Sequence, residues 1–254
     1  MRIVSAMRVI LAVLVLLSVP TALAGSIPAP TVLPKPGFPP PAGQVGERKP
    51  TLVLVSSRYR DPATLPPDRP APPAWAPKTY RGEQLDDAVR QRGNVFLIYG
   101  GRYVVAATAR NQALRYALDF GRFTRPPNGG EFEPVTWARE VEGVLYVSNS
   151  HLTYASTTNG RNAYVSAVDL GTTRTRWRSP ALIANARTFV VTGDLIVAGY
   201  GFTAEPDFLY VLDRDTGKVL DRLAVPSAPE VIKLRGDRLH VRTYDRQVVA
   251  RIVR

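Results

Sequence analysis

From about Asn94 to Arg254, apolar positions come in short runs rich in Val, Leu, Ile and Tyr, broken by Gly, Asn, Asp and Pro. Runs of that length and composition read as β-strands joined by tight turns. The runs also recur as a unit. First strands are expected at Val95 to Tyr99, Val135 to Val141, Arg187 to Val191 and Val231 to Leu234. Each precedes a glycine-marked turn and a second strand ending at Val105, Val147, Val197 or Val241. Third strands follow at Arg115 to Asp119, Val165 to Asp169 and Leu209 to Asp213, with Gln247 to Arg251 in the last unit. A recurrence of about 40 to 50 residues holding three or four strands is the mark of a propeller blade. One such small sheet cannot cover both of its apolar faces, and stacking on its neighbours does. The expected fold is therefore all-β: a propeller-like array of about four four-stranded blades, or five if the region around Thr51 to Val55 begins another.

Upstream the pattern changes. Most of the 23 prolines lie between Pro28 and Pro77, including the run Pro39-Pro40-Pro41. Proline fixes φ and removes an amide donor, so this stretch reads as an extended arm. One apolar, β-branched run interrupts it, Thr51-Leu52-Val53-Leu54-Val55, and reads as a strand. Glu83 to Arg90 reads as a helical turn or two. The last unit reaches Arg254 after its third strand; either Thr51 to Val55 supplies the missing outer strand and closes the ring, or the ring is incomplete and its open edges pair with a partner or a second copy.

The first residues carry a different signal. Arg2 and Arg8 precede the apolar run Val9 to Leu17 as a positive n-region, and Ala22-Leu23-Ala24 precedes Gly25. That is the form of a cleavable export signal, and the run is shorter than the ~20 residues a membrane span needs. The division that follows is a signal peptide over 1–24, a proline-rich arm over 25–80 with one strand near 51–57, and a repeat domain over 81–254. The product is expected in the periplasm or outside the cell, with no stable transmembrane segment after cleavage.

Composition narrows the chemistry. Cysteine is absent, which removes disulfides, thiol nucleophiles and cysteine-based zinc sites. The formal charge is +12, carried mostly by arginines scattered through the sequence. The excess favours anionic partners, yet no run resembles a nucleic-acid patch, so the expected partner is a protein or an anionic envelope component.

No catalytic constellation assembles from the remaining residues. His151 and His240 stand in different units without carboxylates at ligand spacing, so no metal site is assigned. There is no Gly-x-Ser-x-Gly elbow, and the pairs around Gly129-Gly130 and Gly199-Tyr200-Gly201 read as turn glycines. Glu131, Glu133, Glu140 and Glu142 are close enough in sequence to raise glycoside chemistry, which needs two carboxylates about 5 to 10 Å apart. Asp213 and Asp215 could begin a calcium loop, but the segment lacks the further oxygens such a loop requires, and a plain turn is expected. Tyr154 and Tyr200, with Arg161, are the candidate surface for binding by stacking and charge.

Asp213-Arg214-Asp215-Thr216-Gly217-Lys218 after Leu209-Tyr210-Val211-Leu212, and Ala167-Val168-Asp169-Leu170-Gly171-Thr172 before Arg176-Trp177, resemble the strand-turn-strand of quinoprotein-type (PQQ-like) repeats. Such repeats also build the periplasmic propeller of the outer-membrane assembly lipoprotein. The resemblance covers roughly residues 91 to 254 and implies a tryptophan, eight positions after the aspartate, that docks on the next blade. Trp177 meets this, whereas Pro127 and Asp221 occupy the equivalent positions. No cofactor is therefore expected, pyrroloquinoline quinone included. The resulting expectation is an exported, non-catalytic binding or scaffold protein that recognises a protein or envelope polymer. The alternative is a quinoprotein-type or carbohydrate-active enzyme whose site the sequence does not assign.

Overall fold

The computed structural model of the chain describes residues 49–62, 71–125, 131–151 and 153–254. The expected signal peptide, most of the arm, Pro127 and Gly129-Gly130 lie outside those residues. The described chain is mostly β, with one four-residue helix at Gly121–Thr124, and no helix in it is long and apolar enough to cross a membrane.

The strands form four antiparallel sheets stacked as blades. Strand β1 (Thr51–Tyr59) comes first in sequence but belongs to the last blade. The first blade holds β2 (Thr79–Tyr80), β3 (Glu83–Gln91), β4 (Asn94–Tyr99), β5 (Tyr103–Thr108) and β6 (Leu114–Asp119), in that order across the sheet. The second holds β7 (Val135–Val141), β8 (Val144–Asn149), β9 (Tyr164–Asp169) and β10 (Thr175–Arg178). The third holds β11 (Val190–Thr192), β12 (Leu195–Tyr200), β13 (Phe208–Asp213) and β14 (Val219–Ala224). In the fourth, β15 (Pro229–Arg235), β16 (Arg238–Thr243) and β17 (Arg246–Val253) are completed by β1, which pairs with β17 from Thr51↔Val253 to Tyr59↔Arg246.

Each blade is thus a meander, and each first turn is marked by a glycine in the left-handed region: Gly93, Gly143, Gly193 and Gly236. This frame corrects the sequence reading of the first unit in two respects. Glu83 to Arg90 is not helical; it lies in β3, the true first strand, because the turn at Gly93 folds it back on β4 with Val89 opposite Phe96. Counted from β3, with the two-residue β2 as an added edge, Gly101 marks the second connection of that blade rather than the first, and Asp119 ends the fourth strand rather than the third.

Three apolar clusters lie between consecutive blades. The first is built on Phe96, Ile98, Leu145 and Val147, the second on Tyr146, Val165, Ile196 and Tyr210, and the third on Leu52, Val197, Val211 and Val241. Gly199 serves the third junction: it lies inside β12, not in a turn, and a Cβ there would sit 2.7 Å from the Pro229 side chain. Among the described residues no apolar cluster joins the fourth blade to the first. The free face of the first blade, with Val95, Leu97 and Tyr99, is instead covered by Trp75, Ala76 and Tyr80.

The aspartate turns have the plain form. Asp213 Oδ1 accepts from the Thr216 amide and hydroxyl at 2.7 Å each, and Asp169 Oδ1 does the same for Thr172. Trp177 docks on the next blade as the resemblance implies. Its Nε1 donates to the Arg214 carbonyl at 3.0 Å, and its ring lies against Gly217, where a Cβ would meet it at 2.4 Å. Replacing Trp177 by Phe should keep most of the ring contact and lose that bond, lowering stability by about 1 kcal/mol in urea unfolding. At Asp221 the tryptophan is replaced by a different device: the carboxylate accepts from the Leu52 amide at 2.6 Å and ties β1 to the third blade.

Candidate functional site

In every blade the connection between the second and third strands falls at one end of the array, together with the entry to the first strand. The polar groups buried at that end hold the connections in place. In the first blade Asp86 accepts from the Gly101 amide at 2.6 Å, and Arg102 forms a two-pronged pair with Asp119 at 2.7 Å per bond. The second blade contributes the most buried charge. Glu133, 2% exposed, lies before β7 and accepts from Asn149 Nδ2 at 3.0 Å, with Arg178 Nη2 at 3.4 Å. The Arg178 guanidinium lies over the Tyr164 ring at 3.8 Å and the Phe123 ring at 4.8 Å, while its Nε and Nη1 have no hydrogen-bond partner.

At this end the Glu205 carboxylate links the second blade to the third. Glu205 Oε2 accepts from the Tyr200 hydroxyl and its Oε1 from the Ala155 amide, both at 2.6 Å. This pins the long connection after β8 and sets Tyr154 edge-on to Phe202, with ring centroids 4.6 Å apart. Asn185 bonds Gly201 in both directions, at 2.7 and 3.0 Å, and fixes the start of the following connection.

The carboxyl groups with raised proton affinity all lie at this end: Asp86, Glu133, Asp207 and Glu230. Burial is the main cause for each. It pushes Glu133 up to about 8, against the opposing pull of Arg178 and Asn149, and Asp207 up to about 6, with Asp245 and Glu205 adding to the effect. Burial also pulls Arg178 down to about 10, which leaves it charged at neutral pH.

The residues singled out from sequence have different fates. Tyr154 is 38% exposed and Arg161 is exposed on the same connection. Tyr200, expected beside them on the surface, is fully buried. It is the last residue of β12 rather than part of a loop, and its ring turns into the core because Glu205 satisfies the hydroxyl there. Among the four glutamates, Glu133 and Glu140 are separated by the length of β7, roughly 20 Å at ~3.3 Å per residue, too far for a glycosidic carboxylate pair. Glu140 binds Arg115 and Tyr116, and Glu142 pairs with Arg214. His151 Nε2 lies 3.8 Å from Glu131, and His240 sits apart on β16. Among the described residues no three His, Asp or Glu side chains gather as a metal site.

No family model matches the chain, and no curated protein does. Solved structures with similar coordinates include the computationally designed Ika4 protein, at 12% identity and TM-score 0.44, over 70% of this chain and 94% of that one. BamB from Moraxella catarrhalis is similar at 11% identity and TM-score 0.38, over 65% of this chain and 56% of its own. The β-propeller domain of Cps50 (Swd1) from Myceliophteria thermophila is similar at 13% identity and TM-score 0.43, over 65% and 53%. This chain spans just over half the length of those last two.

One feature of the same end is invisible in the linear sequence. The exposed aromatic side chains among the described residues are Tyr59, Phe132, Tyr154 and Tyr244. Tyr59 ends β1 beside Arg246, Phe132 precedes β7, Tyr154 follows β8, and Tyr244 joins β16 to β17. All four therefore project from the end that the buried carboxylates hold.

Proposed function

We propose that this chain is an exported, non-catalytic binding protein that recognises a protein partner through the loop end of its blades. The gathering of Tyr59, Phe132, Tyr154 and Tyr244 at that one end carries the reading. Tyrosine and arginine dominate the energetics of protein interfaces, because they bury large area with few rotors to freeze. Rigid support lowers the ordering cost further, and the Glu205 link gives Tyr154 that support. Most carboxylates of this end, among them Asp86, Asp119 and Glu205, are taken up in positioning the connections, which favours recognition over turnover.

The test is capture from envelope extracts followed by titration of the recovered partner. Tyr154→Ala and Tyr244→Ala, each expected to leave folding intact, should weaken binding roughly tenfold apiece, the size of an ordinary hot-spot loss. Equal affinity for the double variant and the parent would overturn the proposal, as would turnover of a sugar or alcohol by the purified protein.

A further inference from the structure

The face of the fourth blade that turns away from the third carries a different chemistry. Its buried side, with Leu239, Val241, Val248 and Ala250, faces the third blade. On the opposite side the register sets Arg235 beside Arg238, Arg238 beside Arg251, and Arg251 beside Val53. All four are exposed. Lys233 lies on the same face one pair further along, opposite His240. None of these arginines, nor Lys233, has a carboxylate partner among the described residues.

Like charges placed directly across neighbouring strands, ~4.8 Å apart, repel and destabilise a sheet. Three in a row, with the acid of the adjoining turn, Asp237, paired to none of them, is an arrangement that folding alone disfavours and that an external anion relieves. The row also runs into apolar surface. Val53 and Val55 on the edge strand are 38 and 45% exposed, and Val253 opposite Thr51 is 38% exposed, while Leu54 pairs with Ala250 and lies on the other face.

We infer that this face seats the protein on an anionic lipid surface, the arginines on headgroup phosphates and the valines in the interfacial layer. A soluble polyanion would satisfy the arginines only, whereas a charged bilayer satisfies both halves of the patch.

The experiment is co-sedimentation of the full chain with vesicles of phosphatidylcholine alone or of phosphatidylcholine mixed with phosphatidylglycerol. The neutral vesicles report any contribution of the apolar run Val9 to Leu17. Binding specific to the anionic vesicles, falling as salt is added, is expected. Arg238→Gln should weaken it about fivefold, and the triple change Arg235→Gln, Arg238→Gln, Arg251→Gln should abolish the anionic preference. Val53→Ser should weaken vesicle binding while leaving retention on a sulfated dextran column unchanged. Thermal unfolding separates this from misfolding, since Arg238→Gln removes repulsion and should raise the midpoint. The inference falls if the triple variant keeps the anionic preference, if the parent shows none, or if Val53→Ser has no effect on vesicles. Loss of partner capture by the Tyr154 and Tyr244 variants is independent of all three outcomes.

Discussion

A chain that begins at Arg60 should lose cooperative folding. Strand β1 supplies the whole outer edge of the fourth blade, paired with β17 over the length of both strands. Its Leu52 side chain is 5% exposed in the cluster between the third and fourth blades. The Leu52 amide reaches across to Asp221 on β14, and the chain is fastened again where the Arg60 amide meets the Asp245 carbonyl. Burial of Leu52 contributes about 2 kcal/mol and each ladder hydrogen bond about 0.5 to 1.5. The sum exceeds about 5 kcal/mol, which is comparable to the entire stability of an ordinary domain. Circular dichroism of the shortened chain should show a broad transition, or none, where the parent unfolds sharply. A peptide covering residues 49–60, added in excess, should restore the transition by mass action. An unchanged midpoint in the shortened chain would mean that the strand is an ornament of the fold rather than part of it.

That the strand at Thr51 to Val55 belongs to the last blade is legible in the sequence, because the fourth unit has three strands and the arm has one to spare. The frame of the first blade is not. Its first strand contains Asp86-Asp87, and carboxylates at strand positions hide the apolar alternation that marks β7 or β15. The structure explains Asp86: its side chain is taken up by the Gly101 amide. Gly101, a few residues beyond Gly93, offers a second glycine turn and draws the frame one strand too far along.

The candidate site is less legible than the fold for the same kind of reason. An aromatic between two glycines reads as a loop, yet Tyr200 is held inward by Glu205, five residues away and outside any recognisable motif. The arginine row is harder still. Positions 235, 238 and 251 belong to three strands, so a linear scan of charge sees scattered arginines where the register makes neighbours. Ring closure differs in a similar way. The pattern of apolar strands implies that every blade face needs a blade partner, but Trp75, Ala76 and Tyr80 cover the free face of the first blade and an arginine-rich surface occupies that of the fourth. The proline-flanked segment before Tyr80 carries no periodicity that would announce such a role.

Glu133 should make the protein less stable as pH rises from 6 to 8. Its carboxyl is held at about 8 in the folded chain, against 4.5 for an ordinary glutamate, because burial penalises the charged form by more than Arg178 and Asn149 recover. A carboxyl whose folded value is raised binds its proton more tightly in the native state than in the unfolded one. Its stabilising contribution is therefore complete below about 4.5 and is lost as pH climbs toward 8. Asp207 acts with the same sign but reaches only about 6, so the upper half of the window belongs to Glu133. Glu133→Gln preserves the shape and supplies a permanent neutral partner for Asn149. The variant should show a flatter stability profile between pH 6 and 8, and at pH 8 should exceed the parent by a few kcal/mol in order of magnitude. Denaturant unfolding at several pH values measures this directly. The opposite result is equally informative: if Glu133→Gln is the less stable chain at pH 8, then the Arg178 guanidinium, pressed between Tyr164 and Phe123, holds an ionised partner and the pair rather than burial governs the junction of the first two blades.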